Sequence, residues 1–140
     1  MEFFLIFYAS ERRCRLALKI YTSNFENMNR IIAEDKVVVA ICRKCPVAYD
    51  GYWMPELAPT QEMLSEYHET WNTETYNEKY QQILSDLDAR GVYDKLQKYG
   101  AGKDVVMLCY EPAGVFCHRH LAGKWLSEQL GIVVEEWNYR

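Results

Sequence analysis

The sequence predicts an α/β protein with a three-layer, Rossmann-like fold, in which helices flank a small, mainly parallel sheet. Short, continuous apolar runs such as VVVAIC at 37–42 and VVMLC at 105–109 are typical of strands that are buried on both faces. Segments with helical spacing of apolar residues separate these runs, and this alternation is typical of βα units. In such a sheet we expect a ligand to bind beyond the carboxyl ends of the strands.

Length and composition indicate one globular domain. The chain has 140 residues, of which 49% are hydrophobic and 26% charged. We expect residues 19–140 to form a single α/β domain and residues 1–18 to form an N-terminal extension. The apolar run at 1–9 has no basic segment before it and is too short to span a bilayer, so no membrane association is expected. The net charge of −4 disfavours broad, nonspecific binding to nucleic acid.

The first half of the chain predicts two strands and a helix. The first strand, at 18–22, ends in residues that favour turns and helix caps: Thr22, Ser23 and Asn24. Apolar residues then recur at helical spacing over 24–34, and the buried strand at 37–42 follows. Residues 43–59 form an irregular segment, which is long enough to indicate a functional loop.

The second half predicts a helix-rich segment and two further strands. Thr60 is a typical N-cap residue for the helix that follows it. Residues 74–99 have helical periodicity, and Gly91 is expected to break or cap the first part. After the strand at 105–109 the sequence predicts a helix at 117–130, capped by Gly131, and a last strand at 132–134.

Polar residues follow three of the predicted strands, whose carboxyl ends we expect to meet at one edge of the sheet. Arginine has a fixed, forked cation suited to phosphate or carboxylate, and the start of a helix favours an anion. The predicted ligand is therefore a small anion, such as a nucleotide or a nucleic-acid end. Its expected binding residues are Thr22, Ser23, Asn24, Arg43, Cys109 and Arg119.

Cys117, His118 and Glu111 are the candidates for catalysis. Cys117 starts a helix, where the helix dipole lowers a thiol pKa, so it is interpreted as a nucleophile, as part of an anion cradle or as a packing residue. His118 is suited to transfer a proton near neutral pH. Glu111 either orients Arg119, accepts a proton or is an exposed turn carboxylate.

The five cysteines do not form the pattern of a secreted disulfide framework, so reduced thiols and a cytoplasmic protein are expected. Cys42 and Cys45 have the spacing of zinc ligands. The remaining ligands would come from a set further along the chain: Cys109, Cys117, His118 and His120. No second compact ligand pair is present, so we predict no metal and no cofactor, and zinc stays the weaker alternative.

These motifs, in this order, resemble the bacterial and phage family called domain of unknown function 488. The resemblance covers residues 19–136 and includes LAPT at 57–60, CYE at 109–111 and CHR at 117–119, of which CHR is the most specific. Cys42 departs from the small residue that the family usually has at this place. The resemblance implies a small α/β fold and no particular reaction. Its signature positions are Arg43, Cys109, Glu111, Cys117, His118 and Arg119.

Two classes of function are compatible with these residues, besides the zinc protein. The leading hypothesis is a cytoplasmic protein with an enzyme-like pocket for an anionic ligand. The alternative is a non-catalytic binding or regulatory module in which the CHR segment is structural, Arg119 pairs with Glu111 and Cys117 packs. An open pocket lined by Arg43 and His118 would favour the first hypothesis.

Overall fold

The computed structural model describes residues 18–138, which form a three-layer α/β fold. Its five strands are all parallel and lie in the order β3-β2-β4-β1-β5, which confirms the predicted class of fold. They are β1 (Ile20–Asn24), β2 (Val37–Ala40), β3 (Tyr52–Trp53), β4 (Val105–Cys109) and β5 (Val134–Glu136). The interpretations of residues 1–17 lie outside the described residues.

Five helices cover the two faces of the sheet. They are α1 (Met28–Ala33), α2 (Gln61–Thr70), α3 (Thr73–Ser85), α4 (Ala89–Gly100) and α5 (His118–Leu130). Within residues 18–138, none of the helices has the length and apolar character needed to cross a membrane.

The central strand β4 explains why the sheet has helices on both sides. All five of its residues are buried, and successive side chains of a strand point to opposite faces. Val106 and Leu108 pack with Ile31 of α1 on one face. Val105 and Met107 join the larger core on the other face, to which α2 to α5 contribute. The continuous apolar run in the sequence therefore reflects burial on both faces.

Several predicted boundaries are wrong for local reasons. The helix expected at 24–34 starts as a 3-10 turn, Phe25–Asn27, and is α-helical only from Met28. The break in the region 74–99 lies before Gly91, because the Asp88 carboxylate caps α4 by accepting from the Gly91 amide at 3.2 Å. The last strand is β5, two residues later than predicted, and the segment 43–59 contains the short strand β3.

The segment before α2 is fixed in place at both of its ends. The Thr60 hydroxyl accepts a hydrogen bond from the Met63 amide at 3.1 Å, which confirms Thr60 as an N-cap. The fully buried Tyr80 of α3 donates its hydroxyl to the Leu57 carbonyl at 2.7 Å. These contacts hold residues 54–60 against α3, where several of them line a cavity.

Candidate functional site

A cavity of about 900 Å³ opens at the carboxyl ends of β2 and β4. Its buried lining includes the thiol of Cys42 and, grouped together, three further reactive residues: Cys109, Cys117 and His118. We call these three the Cys-His cluster. The exposed charged residues of its lining are Arg43, Lys44 and Glu111. The aromatic lining comes from the β2–α2 segment, from α2 and α3 and from the loop between β4 and α5: Trp53, Tyr67, His68, Tyr76, Tyr110 and Phe116.

Chain connectivity places the Cys-His cluster. Cys109 is the last residue of β4, Cys117 is the N-cap of α5, and His118 is the first residue of that helix. The loop between them leaves the sheet edge and returns to it, which brings the two sulfurs and the imidazole together. The predicted convergence of these residues at the carboxyl edge is therefore present in the structure.

One ring nitrogen of His118 forms a hydrogen bond with the main chain. Nε2 lies 2.7 Å from the carbonyl oxygen of Ile41, and because a carbonyl only accepts hydrogen bonds, Nε2 carries the hydrogen. Nδ1 then faces the sulfurs, 3.5 Å from Cys109 Sγ and 3.9 Å from Cys117 Sγ. The ring also packs edge-to-face on Tyr80, with centroids 5.5 Å apart. The imidazole is thus held with its free nitrogen toward the thiols.

The environment favours a negative charge on Cys117 rather than on Cys109. The neighbouring Cys109 thiol lowers the pKa of Cys117, and the contacts with His118 and the Arg119 amide lower it further against the opposing effect of burial. The proximity of Cys117, together with burial, raises the pKa of Cys109. Cys117 is therefore the more acidic thiol of the two.

The CxxC pair lies beside the Cys-His cluster and has its own contacts. Cys42 Sγ is 3.3 Å from the Lys44 carbonyl and 4.0 Å from Cys45 Sγ, and burial raises the pKa of the Cys42 thiol. Cys42 lines the cavity, whereas Cys45 does not appear in its lining. Within residues 18–138, the one group of three potential metal ligands that converges is the Cys-His cluster.

Arg119 does not line the cavity. Its side chain is fully buried and binds the Glu136 carboxylate, with Nε–Oε1 at 3.1 Å and Nη2–Oε2 at 2.8 Å. Nη1 donates to the main-chain carbonyl of Glu111 at 2.7 Å. The expected pairing with the Glu111 carboxylate is therefore wrong. Arg119 instead joins the loop after β4 to the edge strand β5.

Thr22, Ser23 and Asn24 lie at the same edge but make internal contacts. Thr22 Oγ1 donates to Glu136 at 2.6 Å, Ser23 Oγ donates to the Trp137 carbonyl at 3.0 Å, and Asn24 accepts from the Asn27 amide at 3.3 Å. None of the three lines the cavity. The structure thus brings five of the predicted site residues to the cavity: Arg43, Cys109, Glu111, Cys117 and His118.

Sequence reasoning missed much of the cavity wall. Tyr76 makes edge contacts with Tyr67 and Phe116, and the rings of Tyr67 and Phe116 pack at a tilt. Tyr76 belongs to a predicted helix, and a helical spacing of aromatic residues does not distinguish a cavity wall from a core.

Trp53 was not missed, because the aromatic cluster of Tyr49, Tyr52 and Trp53 suggests either a surface for stacking a base or sugar or rings that hold a long loop in place. Trp53 is 45% exposed and donates its indole N–H to the Cys42 carbonyl at 2.9 Å. Glu136 was missed, although it lies two residues after the last apolar run.

The fold and the cavity define a small, all-parallel α/β protein with an open site at the carboxyl ends of two adjacent strands. A family model described as the active DUF488-N3 subclade matches residues 22–130, and the chain belongs to the DUF488 family. The comparisons with curated proteins and with solved structures gave no match.

The Arg119–Glu136 pair predicts that the protein loses stability in acid. Burial raises the pKa of Glu136, but hydrogen bonds from His120, Arg119 and Thr22 outweigh it and hold this pKa at about 2. Because the folded pKa lies below the unfolded value of about 4.3, the stabilisation is complete above that value and is lost as the pH falls toward 2. Urea unfolding between pH 2 and pH 7 should show this loss. The variant Glu136→Gln should be less stable at pH 7 and should lose less on acidification.

The exposed Glu128, which pairs with Lys124 at 3.8 Å, provides the control. Its exchange to glutamine should leave the acid profile of the wild type unchanged. An identical acid loss in Glu136→Gln and wild type would show that another carboxylate is responsible.

Proposed function

We propose that the protein is an enzyme that binds an anionic, ring-containing ligand, such as a nucleotide or a nucleic-acid end, in this cavity, with Cys117 as its reacting group. The observation that carries the proposal is the placement of the Cys-His cluster in the buried lining of a cavity of about 900 Å³. Ligand sites of small molecules are typically concave and apolar, with a few convergent polar groups.

Charge at the opening supports an anionic ligand. Arg43 and Lys44 are exposed and line the cavity, against the single carboxylate of Glu111. The loop that carries them is fixed, because the Tyr110 hydroxyl donates to the Lys44 carbonyl. An arginine held at the mouth of a cavity matches the geometry of a phosphate or carboxylate.

The aromatic wall supports a ligand that also contains a ring. Trp53 is half-exposed, and its indole orientation is fixed by the hydrogen bond to Cys42. Stacking on an aromatic side chain contributes about 1–3 kcal/mol per base in nucleic-acid binding proteins. Tyr67 and Phe116 extend the same apolar surface toward the Cys-His cluster. A base or similar ring therefore has a surface to stack on, with cations nearby.

The Cys-His cluster supplies a nucleophile. Cys117 Sγ lies 3.9 Å from His118 Nδ1 at the N-terminus of α5, an arrangement typical of activated thiols. In the proposed step the sulfur forms a bond to an electrophilic atom of the ligand. The bond to the leaving group breaks with its electron pair, and the Cys-His cluster supplies the proton. The cytoplasm would keep such a thiol reduced.

One observation favours the non-catalytic alternative for part of the CHR segment. Arg119 is fully buried in an ion pair with Glu136, so its role is structural in the described residues. Cys117 and His118 differ from Arg119, because both of them line the cavity. The alternative therefore accounts for the arginine and not for the two residues before it.

Arg43→Ala is expected to weaken ligand binding without unfolding the protein. The side chain is exposed, so its loss should change stability by less than about 0.5 kcal/mol. Loss of one charge-assisted contact costs about 1.5–3 kcal/mol, which corresponds to a decrease in affinity of about 10- to 100-fold. A thermal-shift screen of mononucleotides, short oligonucleotides and sugar phosphates identifies the ligand, and titration then gives the two affinities.

Lys98→Ala is the matched control, since Lys98 is an exposed cation of α4 that does not line the cavity. It should bind the ligand like the wild type. An equal loss of ligand affinity in Arg43→Ala and Lys98→Ala would show that the effect comes from the net charge of the protein and not from a contact in the cavity. The absence of a thermal shift with every anionic compound would contradict the proposed function.

A further inference from the structure

The Cys-His cluster has the geometry of a metal site. Cys109 Sγ, Cys117 Sγ and His118 Nδ1 all lie within 4.8 Å of one another. We infer that these three atoms bind one zinc ion, with the fourth coordination position open to the cavity. The inference rests on the positions of the side chains, and it confines the proposed nucleophilic role of Cys117 to the metal-free protein.

The observed separations match those of tetrahedral zinc. Bonds of about 2.3 Å to sulfur and about 2.0–2.1 Å to nitrogen place a sulfur and a nitrogen ligand about 3.6 Å apart. Nδ1 of His118 lies 3.5 Å from Cys109 Sγ and 3.9 Å from Cys117 Sγ. Both sulfur–nitrogen separations are therefore within about 0.3 Å of the value for tetrahedral zinc, and the third separation, between the two sulfurs, is at most 4.8 Å. Two thiolates and an imidazole are also the donor types that zinc prefers.

The hydrogen bond of His118 supports the same assignment. Zinc-ligating histidines typically donate their second ring N–H to a carboxylate or a backbone carbonyl, which fixes the tautomer and the ring orientation. Here Nε2 donates to the Ile41 carbonyl at 2.7 Å, and Tyr80 packs against the ring. The nitrogen that faces the two sulfurs is therefore the one with a free lone pair.

The openness of the site distinguishes it from a structural zinc site. Structural zinc is usually closed by four protein ligands, whereas catalytic zinc has three and an open position. All three residues of the Cys-His cluster line the cavity, so water or a ligand atom has access to the fourth position. The CxxC pair does not supply this ligand set, although its spacing suggested a zinc site in the sequence.

Metal occupancy and thiol reactivity exclude one another at Cys117. A sulfur that is coordinated to zinc is no longer free to attack a ligand or an alkylating reagent. Zinc should therefore protect Cys117 from iodoacetamide, whereas Cys45, outside the ligand set, should react equally with and without the metal. Peptide mass spectrometry reports both cysteines in one sample.

Zinc titration of the metal-free full-length protein tests the inference, with a chromophoric chelator as competitor and cobalt(II) as a spectroscopic substitute. We expect one metal ion per chain and the thiolate-to-cobalt charge-transfer absorption of a tetrahedral site. Cys109→Ser and His118→Asn should each lower zinc affinity by at least about 100-fold, while Cys45→Ser should retain it. Far-UV circular dichroism in chelator confirms that each variant is folded.

Substoichiometric zinc, or equal zinc affinity in wild type, Cys109→Ser and His118→Asn, would overturn the inference. The inference would also be overturned if Cys45→Ser lost zinc while Cys109→Ser and His118→Asn kept it, because the metal would then belong to the CxxC pair. The nucleotide thermal-shift screen is run in chelator. A negative zinc result therefore leaves the proposed function standing, and a negative nucleotide screen leaves the zinc site standing.

Discussion

Replacing Arg119 by methionine is expected to destabilise the protein by about 3 kcal/mol or more, because removal of one partner of a buried ion pair costs about 3–5 kcal/mol. The Arg119 side chain is fully buried, and the Glu136 side chain is 21% exposed, which places the expected value at the lower end of that range. The variant also leaves the Glu111 carbonyl without its donor. Urea unfolding at pH 7 measures the loss.

A double variant separates the contribution of the Arg119–Glu136 ion pair to stability from that of the packing of the arginine side chain. Arg119→Met combined with Glu136→Leu should recover part of the lost stability, because no unpaired carboxylate is then left behind. Lys95→Met removes the half-exposed pair between Lys95 and Glu56 and should cost less than about 1 kcal/mol. A loss of that small size in Arg119→Met would contradict the structural role that we assign to Arg119.

Cys117→Ser is expected to abolish the thiol chemistry of the metal-free protein. A hydroxyl at this position is a much weaker nucleophile than a thiolate, so turnover of a substrate identified by the ligand screen should fall by about 10³-fold or more. The folded state should be kept, because the substitution changes one buried atom. Turnover and circular dichroism, measured on the same preparation, test both statements.

Cys45→Ser is the control for this variant, since Cys45 lies in the same part of the molecule without lining the cavity. It should retain full turnover. A Cys117→Ser variant with the turnover of the wild type would remove Cys117 from the chemistry and favour the non-catalytic module.

The fold was largely predictable from the sequence because burial on both faces of a strand leaves a continuous apolar run. The strand at 105–109 was located to the residue for this reason. The strand β3 was missed because its two residues, Tyr52 and Trp53, are exposed and lie among turn residues. The break before α4 was misplaced because the capping carboxylate of Asp88 determines it, and not the backbone freedom of Gly91.

The candidate site was predictable only in part. The carboxyl ends of parallel strands explain why Arg43, Cys109 and Cys117 meet. The partner of Arg119 was not predictable, because Glu136 lies 17 residues away and reaches Arg119 only through the pairing of β5 with β1. The part of the cavity lining formed by Tyr67 and Tyr76 was likewise not predictable, since tyrosines at helical spacing look the same whether they pack in a core or line a cavity.

Ligand protection of Cys117 tests most directly whether the cavity binds its ligand beside the reacting thiol. The metal-free protein is treated with iodoacetamide, with and without the anionic compound that gives the largest thermal shift, and the modification of each cysteine is followed by peptide mass spectrometry. We expect the compound to slow the alkylation of Cys117 and to leave that of Cys45 unchanged. A compound that stabilises the fold while Cys117 reacts at its original rate would contradict the proposed role of the cavity.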